Sequence, residues 1–233
     1  MSNESSKTQL ERTSEFINTF FAGNVIDIGG GNDPVIANAE VFDLVHGDAQ
    51  NILKYKEKES YDCVYSSHCL EHMRDVPSAL SEWWSLVKPG GYLVTVVPHE
   101  DLYEQKIWPS IFNKDHKATF RLKSEKTWSP CSYDIYSLNA NLPNANYISA
   151  EVQDSNYDYF MQGKKLGKFS RKIYKWKRSK NLFKKNISNL LYNFLYNNLW
   201  INIDNNSNGI PVDQTLGNAL AQIQTVFQKT EIN

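Results

Sequence analysis

The run Val25-Ile26-Asp27-Ile28, closed by Gly29-Gly30-Gly31, constrains the fold more than any other segment. A short apolar stretch ending in glycines reads as a buried strand entering a tight turn, where small residues let the backbone approach a ligand closely. One acid, Asp27, sits inside the strand. A dinucleotide-binding fingerprint requires Gly-x-Gly-x-x-Gly/Ala, and Pro34 stands where its third small residue belongs. No Gly-Lys-Ser/Thr follows, which excludes a phosphate-binding P-loop. Taken alone, the pattern fits either a ligand cradle or a plain strand-to-helix connection.

The flanking residues indicate what the turn belongs to. Residues 7–21 place Leu10, Phe16, Ile17, Phe20 and Phe21 roughly on one face and predict a helix that Gly23 stops. Val41 to Leu44 and Tyr61 to Tyr65 are further strand candidates. Val76 to Val87 predicts a helix with Pro77 in its first turn and a Lys88-Pro89-Gly90-Gly91 stop. Tyr92 to Val97 is almost continuously apolar, as a strand inside a parallel sheet would be. Strands alternating with helices indicate an α/β fold, a Rossmann-like doubly wound sheet. Tyr147 to Val152 and a segment ending in Ile223 to Phe227 read as later strands. Residues 156–211, rich in Lys, Asn, Tyr and Phe, are expected to form an insertion of helices and loops within a single domain spanning 1–233.

Composition narrows the class. With 41% hydrophobic and 22% charged residues in 233, a packed core is within reach and wholesale disorder is excluded. A formal net charge of −1 argues against a nucleic-acid coat protein, and no nucleic-acid partner is expected. No stretch approaches the ~18 consecutive apolar residues of a membrane span. The polar N-terminus lacks the apolar core of a signal peptide, so a cytoplasmic protein is expected. Cys63, Cys69 and Cys131 are too scattered for a disulfide framework or a metal knuckle.

Three blocks then occur in order: residues 25–31, the stretch Tyr61 to His72 (YDCVYSSHCLEH), and Leu86 to Val94 (LVKPGGYLV). Together they resemble the class I S-adenosylmethionine-dependent methyltransferases over about residues 20–100. The resemblance implies a seven-stranded sheet with its last strand antiparallel, residues 220–229 here, and S-adenosyl-L-methionine as cofactor. It implies that Asp27, Gly29, Gly30 and Gly31 line the methionine end of that cofactor, with Ser66 and His68 beside it. A carboxylate there accepts a charge-assisted hydrogen bond from the ammonium group. Asp43 matches the acid that holds the ribose hydroxyls, since a carboxylate accepts from both hydroxyls of a diol. Asp48 and Ala49 match the adenine-contacting position. Each acid also has a plainer reading, as a solvated loop residue or a helix N-cap. Only residues 32–42 separate the glycines from Asp43, and four more positions reach Asp48 at 48. The first intervening helix is therefore expected to be very short, starting near Pro34, and the second nearly absent. Residues 97–117 resemble a subgroup found among bacterial surface-glycan biosynthesis genes.

His68, Glu71 and His72 follow the 61–65 strand, at the carboxyl end where open α/β sheets bind ligands. His68 or His72, or His116 farther on, is a candidate general base, because imidazole titrates near neutrality. Two histidines without a clear third ligand do not define a metal centre, and none is assigned. A packed, hydrogen-bonded histidine is the competing reading. A sugar hydroxyl acceptor needs a base, whereas an anionic oxygen needs cationic positioning groups. Glu100, Lys117 and Arg121 are the candidate substrate contacts.

Residues 164–185 hold eleven Lys and Arg and no acid, interleaved with Phe169, Tyr174, Trp176 and Phe183. The run suits an anionic substrate, a membrane surface or RNA, or else a solvated helical face whose aromatics pack inward. Leu190 to Trp200 is strongly apolar and is expected to bury against the core or a second subunit. The reading that emerges is O-methylation of a small molecule or of a precursor of a bacterial surface polysaccharide. A nicotinamide-dependent oxidoreductase on a similar sheet, or a non-catalytic binder of an anionic ligand, are the rivals.

Overall fold

Residues 25–28 are buried at every position, as a strand covered on both faces must be. Their side chains feed two separate cores. Ile26 and Ile28 join Val64, Leu80, Trp83, Trp84, Leu93 and Phe227 on one face of the sheet, while Val25 joins Phe21, Cys63, Tyr65, Val94 and Val96 on the other. The period of two along each strand therefore sorts one sequence into two layers.

The computed structural model describes residues 4–177, 179, 181–198 and 210–231. Helices α1 (Glu4–Gln9) and α2 (Ser14–Phe20) precede β1 (Val25–Ile28), β2 (Glu40–Phe42) and β3 (Tyr61–Ser67). Helix α3 (Val76–Leu86) leads into β4 (Val87–Pro98), followed by β5 (Thr119–Arg121), β6 (Ser132–Asp134), α4 (Ile135–Ala140) and β7 (Ala145–Gln153). After β8 (Lys165–Leu166), α5 (Lys168–Lys177), α6 (Leu182–Asn198) and β9 (Ile210–Pro211), β10 (Gln222–Lys229) ends the main sheet.

That sheet has six strands in the order β2-β1-β3-β4-β10-β7. Strands β2, β1, β3 and β4 pair in parallel, and β10 lies antiparallel between β4 and β7. The layer is α/β with an antiparallel last strand, as expected, but among the described residues it has six strands instead of seven. The shortened connections account for the missing strand. Residues 31–39 form turns without a helix, and residues between β2 and β3 contribute only a 3-10 turn, Ala49–Lys54. The first helix expected near Pro34 is thus absent.

The helix expected over 7–21 is also divided. Thr13 accepts a hydrogen bond from the Phe16 amide at 3.1 Å and starts α2 afresh. Just before it, Arg12 turns inward, donating to Gln224 at 2.7 Å and to the Tyr65 hydroxyl at 3.3 Å. On the opposite face Asp75 caps α3, accepting from Ser78 at 3.1 Å, and Pro77 fits the first turn where no amide partner is needed. Fully buried Trp83 donates its indole N–H to the Ala49 carbonyl at 2.9 Å, which ties α3 to the short connection after β2.

The chain divides into two compact units, residues 1–153 with 222–233, and residues 154–221. In the second unit Ile173 and Tyr174 are buried, whereas Phe169 and Phe183 are exposed. Gln214 ties this unit together, accepting from the Asp158 amide at 2.8 Å and from the Tyr174 hydroxyl at 3.1 Å. Within the segment expected to bury against the core or a second subunit, Leu190 and Phe194 are exposed in the single chain. Arg178, Lys180, Leu199 and Trp200 lie outside the described residues.

Because Trp83 both fills the α3 core and bonds Ala49, Trp83→Ala is expected to lower unfolding stability by about 3–5 kcal/mol. Urea denaturation followed by circular dichroism measures it.

Candidate functional site

Strands β1 and β3 end side by side, with Asp27 opposite Tyr65 and Ile28 opposite Ser66. The Ser66 hydroxyl donates to the Ile28 carbonyl at 3.0 Å, so it fastens the two strand ends together. The glycine turn starts there, with Gly29 at φ +86°. A Cβ on Gly29 would stand 2.7 Å from the Cys69 Cβ, and one on Gly30 would stand 2.7 Å from the Asp27 carboxyl carbon. The turn is therefore glycine for two reasons: a left-handed backbone at Gly29 and close approach of side chains at both positions.

Asp27 is buried inside this arrangement. Its Oδ2 accepts from the Val35 amide at 2.7 Å, which folds the loop after the glycines back over the acid. Its Oδ1 has no hydrogen-bond partner among the described residues. Burial raises the Asp27 pKa from 3.8 to about 7, against the lowering effects of the Val35 amide and the Arg12 charge. Asp43, at the end of β2, has its Oδ2 3.4 Å from where a Gly31 Cβ would stand. The turn thus brings the two acids named from the sequence to either end of the three glycines.

Asp48 is differently engaged. It caps the 3-10 turn, accepting from Gln50 at 3.0 Å, and pairs with Arg74 at 2.6 Å. The Arg74 hydrogen bond holds its carboxyl below the ordinary range. Ala49 is buried beside it, its carbonyl taken by Trp83.

The N-terminal segment forms a wall that the sequence did not announce. The Ser6 amide donates to Asp33 at 2.9 Å, and the Gln9 side chain donates to the Val35 carbonyl. Gln222 of β10 donates to Thr8 at 2.9 Å and meets His68 Nε2 at 2.9 Å. These polar side chains carry no motif, and only the fold aligns them.

The histidines gather beyond β3. His68 adopts φ +52°, and its Nδ1 lies 3.4 Å from Glu71 Oε1. The backbone amides of Lys117 and Ala118 both donate to the Glu71 carbonyl, at 2.8 and 3.2 Å, and so clamp the segment after β4 onto the segment after β3. That clamp sets His116 against His72, their ring centroids 5.1 Å apart. His116 is buried, with Nδ1 2.7 Å from Glu104 Oε1 and Nε2 3.9 Å from Glu71 Oε1. His72 Nδ1 meets Asp115 Oδ2 at 2.9 Å. Glu71 is fully buried, and neither of its oxygens has a hydrogen-bond partner among the described residues. Burial opposes its charge, yet the imidazoles of His68, His116 and His72 outweigh that effect and keep its pKa below the ordinary range.

The expected substrate contacts are held by the protein itself. Glu100 is buried, accepting from Thr127 at 3.0 Å and from Thr119 at 3.3 Å, as well as from Ser132. Lys117 Nζ donates to the His72 carbonyl at 2.9 Å and to Asp115. Arg121 donates to the Ser124 carbonyl at 2.6 Å and to Ser132 at 2.9 Å, along a separate cleft of about 310 Å³.

Residues 6–147 match the family model described as a methyltransferase domain. The chain belongs to that family. Among solved structures, the methyltransferase domain is similar to a SAM-dependent methyltransferase from Archaeoglobus fulgidus, with 14% identity, 98% of this chain and 95% of that chain covered, and a TM-score of 0.48. It is also similar to the YcgJ protein of Bacillus subtilis, with 13% identity, 90% and 92% coverage, and a TM-score of 0.43. No curated protein matches the sequence. No helix among the described residues is long and apolar enough to cross a membrane.

Within the methyltransferase domain, the raised pKa of Asp27 has a definite sign. The folded protein holds this proton more tightly than the unfolded chain between pH 3.8 and about 7. Its contribution to stability is therefore greatest below that window and declines as pH rises through it. Asp27→Asn is expected to flatten this part of the profile, measured as the difference between wild-type and variant urea midpoints from pH 4 to 8.

Proposed function

We propose that the chain is an S-adenosylmethionine-dependent methyltransferase acting on an oxygen of a small molecule or of a sugar- or phosphate-type precursor of a bacterial surface polysaccharide, in capsule or lipopolysaccharide. Membership of the methyltransferase-domain family supports the reaction class. The observation that carries the cofactor assignment is the buried Asp27, whose Oδ1 lacks a partner beside a turn with no room for side chains. Such an oxygen suits an incoming ammonium group, and glycines suit a ligand lying against the backbone. Asp27 and Gly29 to Gly31 would hold the methionine end, Asp43 the ribose hydroxyls, and Asp48 with Ala49 the adenine, while Ser66 and His68 bound the crevice. When bound, this cofactor supplies a sulfonium-activated methyl group for in-line displacement.

The protein's own contribution is orientation and exclusion of water. Asp27 fixes the methionine end of the ligand and Asp43 its ribose. His68, His72 and His116 stand at the rim after β3. Lys117 and Arg121 already serve protein acceptors. That favours a hydroxyl acceptor beside the imidazoles over an anionic oxygen that would need a free cation. The surface-glycan assignment is supported by the resemblance of residues 97–117. The basic run 164–185, with Tyr174 packed inward, fits by itself an electrostatic contact with an anionic ligand. The nicotinamide alternative is disfavoured by the turn itself: a dinucleotide rests its pyrophosphate on a helix N-terminus, and residues 31–39 form no helix.

Isothermal calorimetry tests the reading. Wild-type protein is expected to bind S-adenosylmethionine in roughly the micromolar range typical of small-molecule sites. Asp27→Ala is expected to weaken binding roughly tenfold to a hundredfold, the loss of one hydrogen bond to a charged group. Absence of heat at saturating cofactor would end the proposal.

A further inference from the structure

We propose that Glu71, His72 and His116 form a site for one first-row transition dication of the zinc or cobalt kind. One ligand atom from each residue falls within 4.8 Å of the others. From the sequence, His68 and His72 form a pair without a clear third ligand; the fold gathers a different set, bringing His116 against Glu71 and His72 through the Lys117 and Ala118 amides.

Glu71 points to an occupant. Its carboxylate is fully buried, and both oxygens lack hydrogen-bond donors among the described residues. The groups nearest to it are imidazole nitrogens, His68 Nδ1 at 3.4 Å and His116 Nε2 at 3.9 Å, and a buried carboxylate so loosely matched is costly, whereas a dication compensates it directly. Each imidazole, moreover, has a carboxylate on its Nδ1: Glu104 at 2.7 Å for His116 and Asp115 at 2.9 Å for His72. A carboxylate on one ring nitrogen fixes the tautomer and strengthens the other nitrogen as a ligand. For His116 that other nitrogen is Nε2, the atom facing Glu71. Two imidazoles and one carboxylate suit a borderline cation better than magnesium or calcium, which favour oxygen ligands.

The position suggests the use. Cys69, two residues before Glu71, abuts Gly29 of the turn. Three protein ligands leave coordination positions open. Resting on the methyl-transfer reading, an acceptor hydroxyl bound there would be oriented and acidified by the cation, releasing its proton to solvent water as the oxygen takes the methyl group and the sulfonium donor leaves as a neutral thioether. His72 and His116 would then act as ligands instead of free bases.

The competing arrangement is a metal-free cluster in which protonated imidazoles neutralise Glu71. Cobalt titration of the chelator-treated full chain, read by visible absorption, separates the two. The expected result is one Co²⁺ bound per chain, displaced by Zn²⁺. Glu71→Gln and, at the more exposed ligand, His72→Ala are each expected to abolish it while circular dichroism shows a folded protein. Glu104→Gln, a positioning change, is expected to weaken binding roughly 10- to 100-fold. Failure of the wild-type chain to bind Co²⁺, or binding undiminished in both ligand variants, would overturn the site. S-adenosylmethionine is titrated in parallel by calorimetry. Cobalt binding without cofactor binding would uphold the cation site and count against the methyl-transfer reading alone.

Discussion

A carboxylate inside a four-residue strand covered on both faces is an expensive thing to bury, and Asp27 is placed there with half its capacity filled. The Val35 amide satisfies one oxygen and in doing so bends the chain after the glycines back over the strand end. The other oxygen is left beside Gly30, where a methyl group would not fit. The crowded glycine turn and the approach of Asp43 sit beside that one arrangement. Burial discourages charge on Asp27 and raises its pKa to about 7, so this group contributes less stability as pH rises towards neutrality.

The rest of the unit works to keep this strand end in register. Tyr65 and Ser66 of β3 lie across from Asp27 and Ile28, and the Ser66 hydroxyl closes the gap between the strands. Arg12 crosses over the Phe21 and Tyr65 rings to reach Gln224, so the N-terminal segment, β3 and β10 share one buried cation. On the opposite face Trp83 and Trp84 hold α3 against the sheet, with Trp83 bonded to Ala49 and Trp84 to the Pro143 carbonyl.

Local signals reported the elements that local chemistry determines. Val25 to Ile28, the Pro77 helix start and the apolar run to Val97 announce themselves by pattern, and Asp27 with the glycines could be named from adjacency. What pattern does not encode is convergence. His116 is distant in sequence from His72, and two backbone amides donating to the Glu71 carbonyl, with the Lys117 and Asp115 contacts to His72, bring them together. The N-terminal wall rests on Ser6, Thr8 and Gln9, polar residues indistinguishable from solvated ones until Asp33, Gln222 and Val35 are seen opposite them. The division at Thr13 was hidden because the apolar spacing of 7–21 suits one helix, whereas a capping hydroxyl and an inward-turning arginine break it. Glu100, Lys117 and Arg121 had the right chemistry for a substrate, and each found its partners within the chain.

The proposed ligand is a sulfonium nucleoside lying across the glycine turn, and a crystal structure with S-adenosylhomocysteine is the decisive measurement. The ribose hydroxyls are expected on Asp43 and the amino group within hydrogen-bond reach of Asp27 Oδ1. A nucleoside bound elsewhere, or Asp43 turned from it towards solvent, would refute this placement.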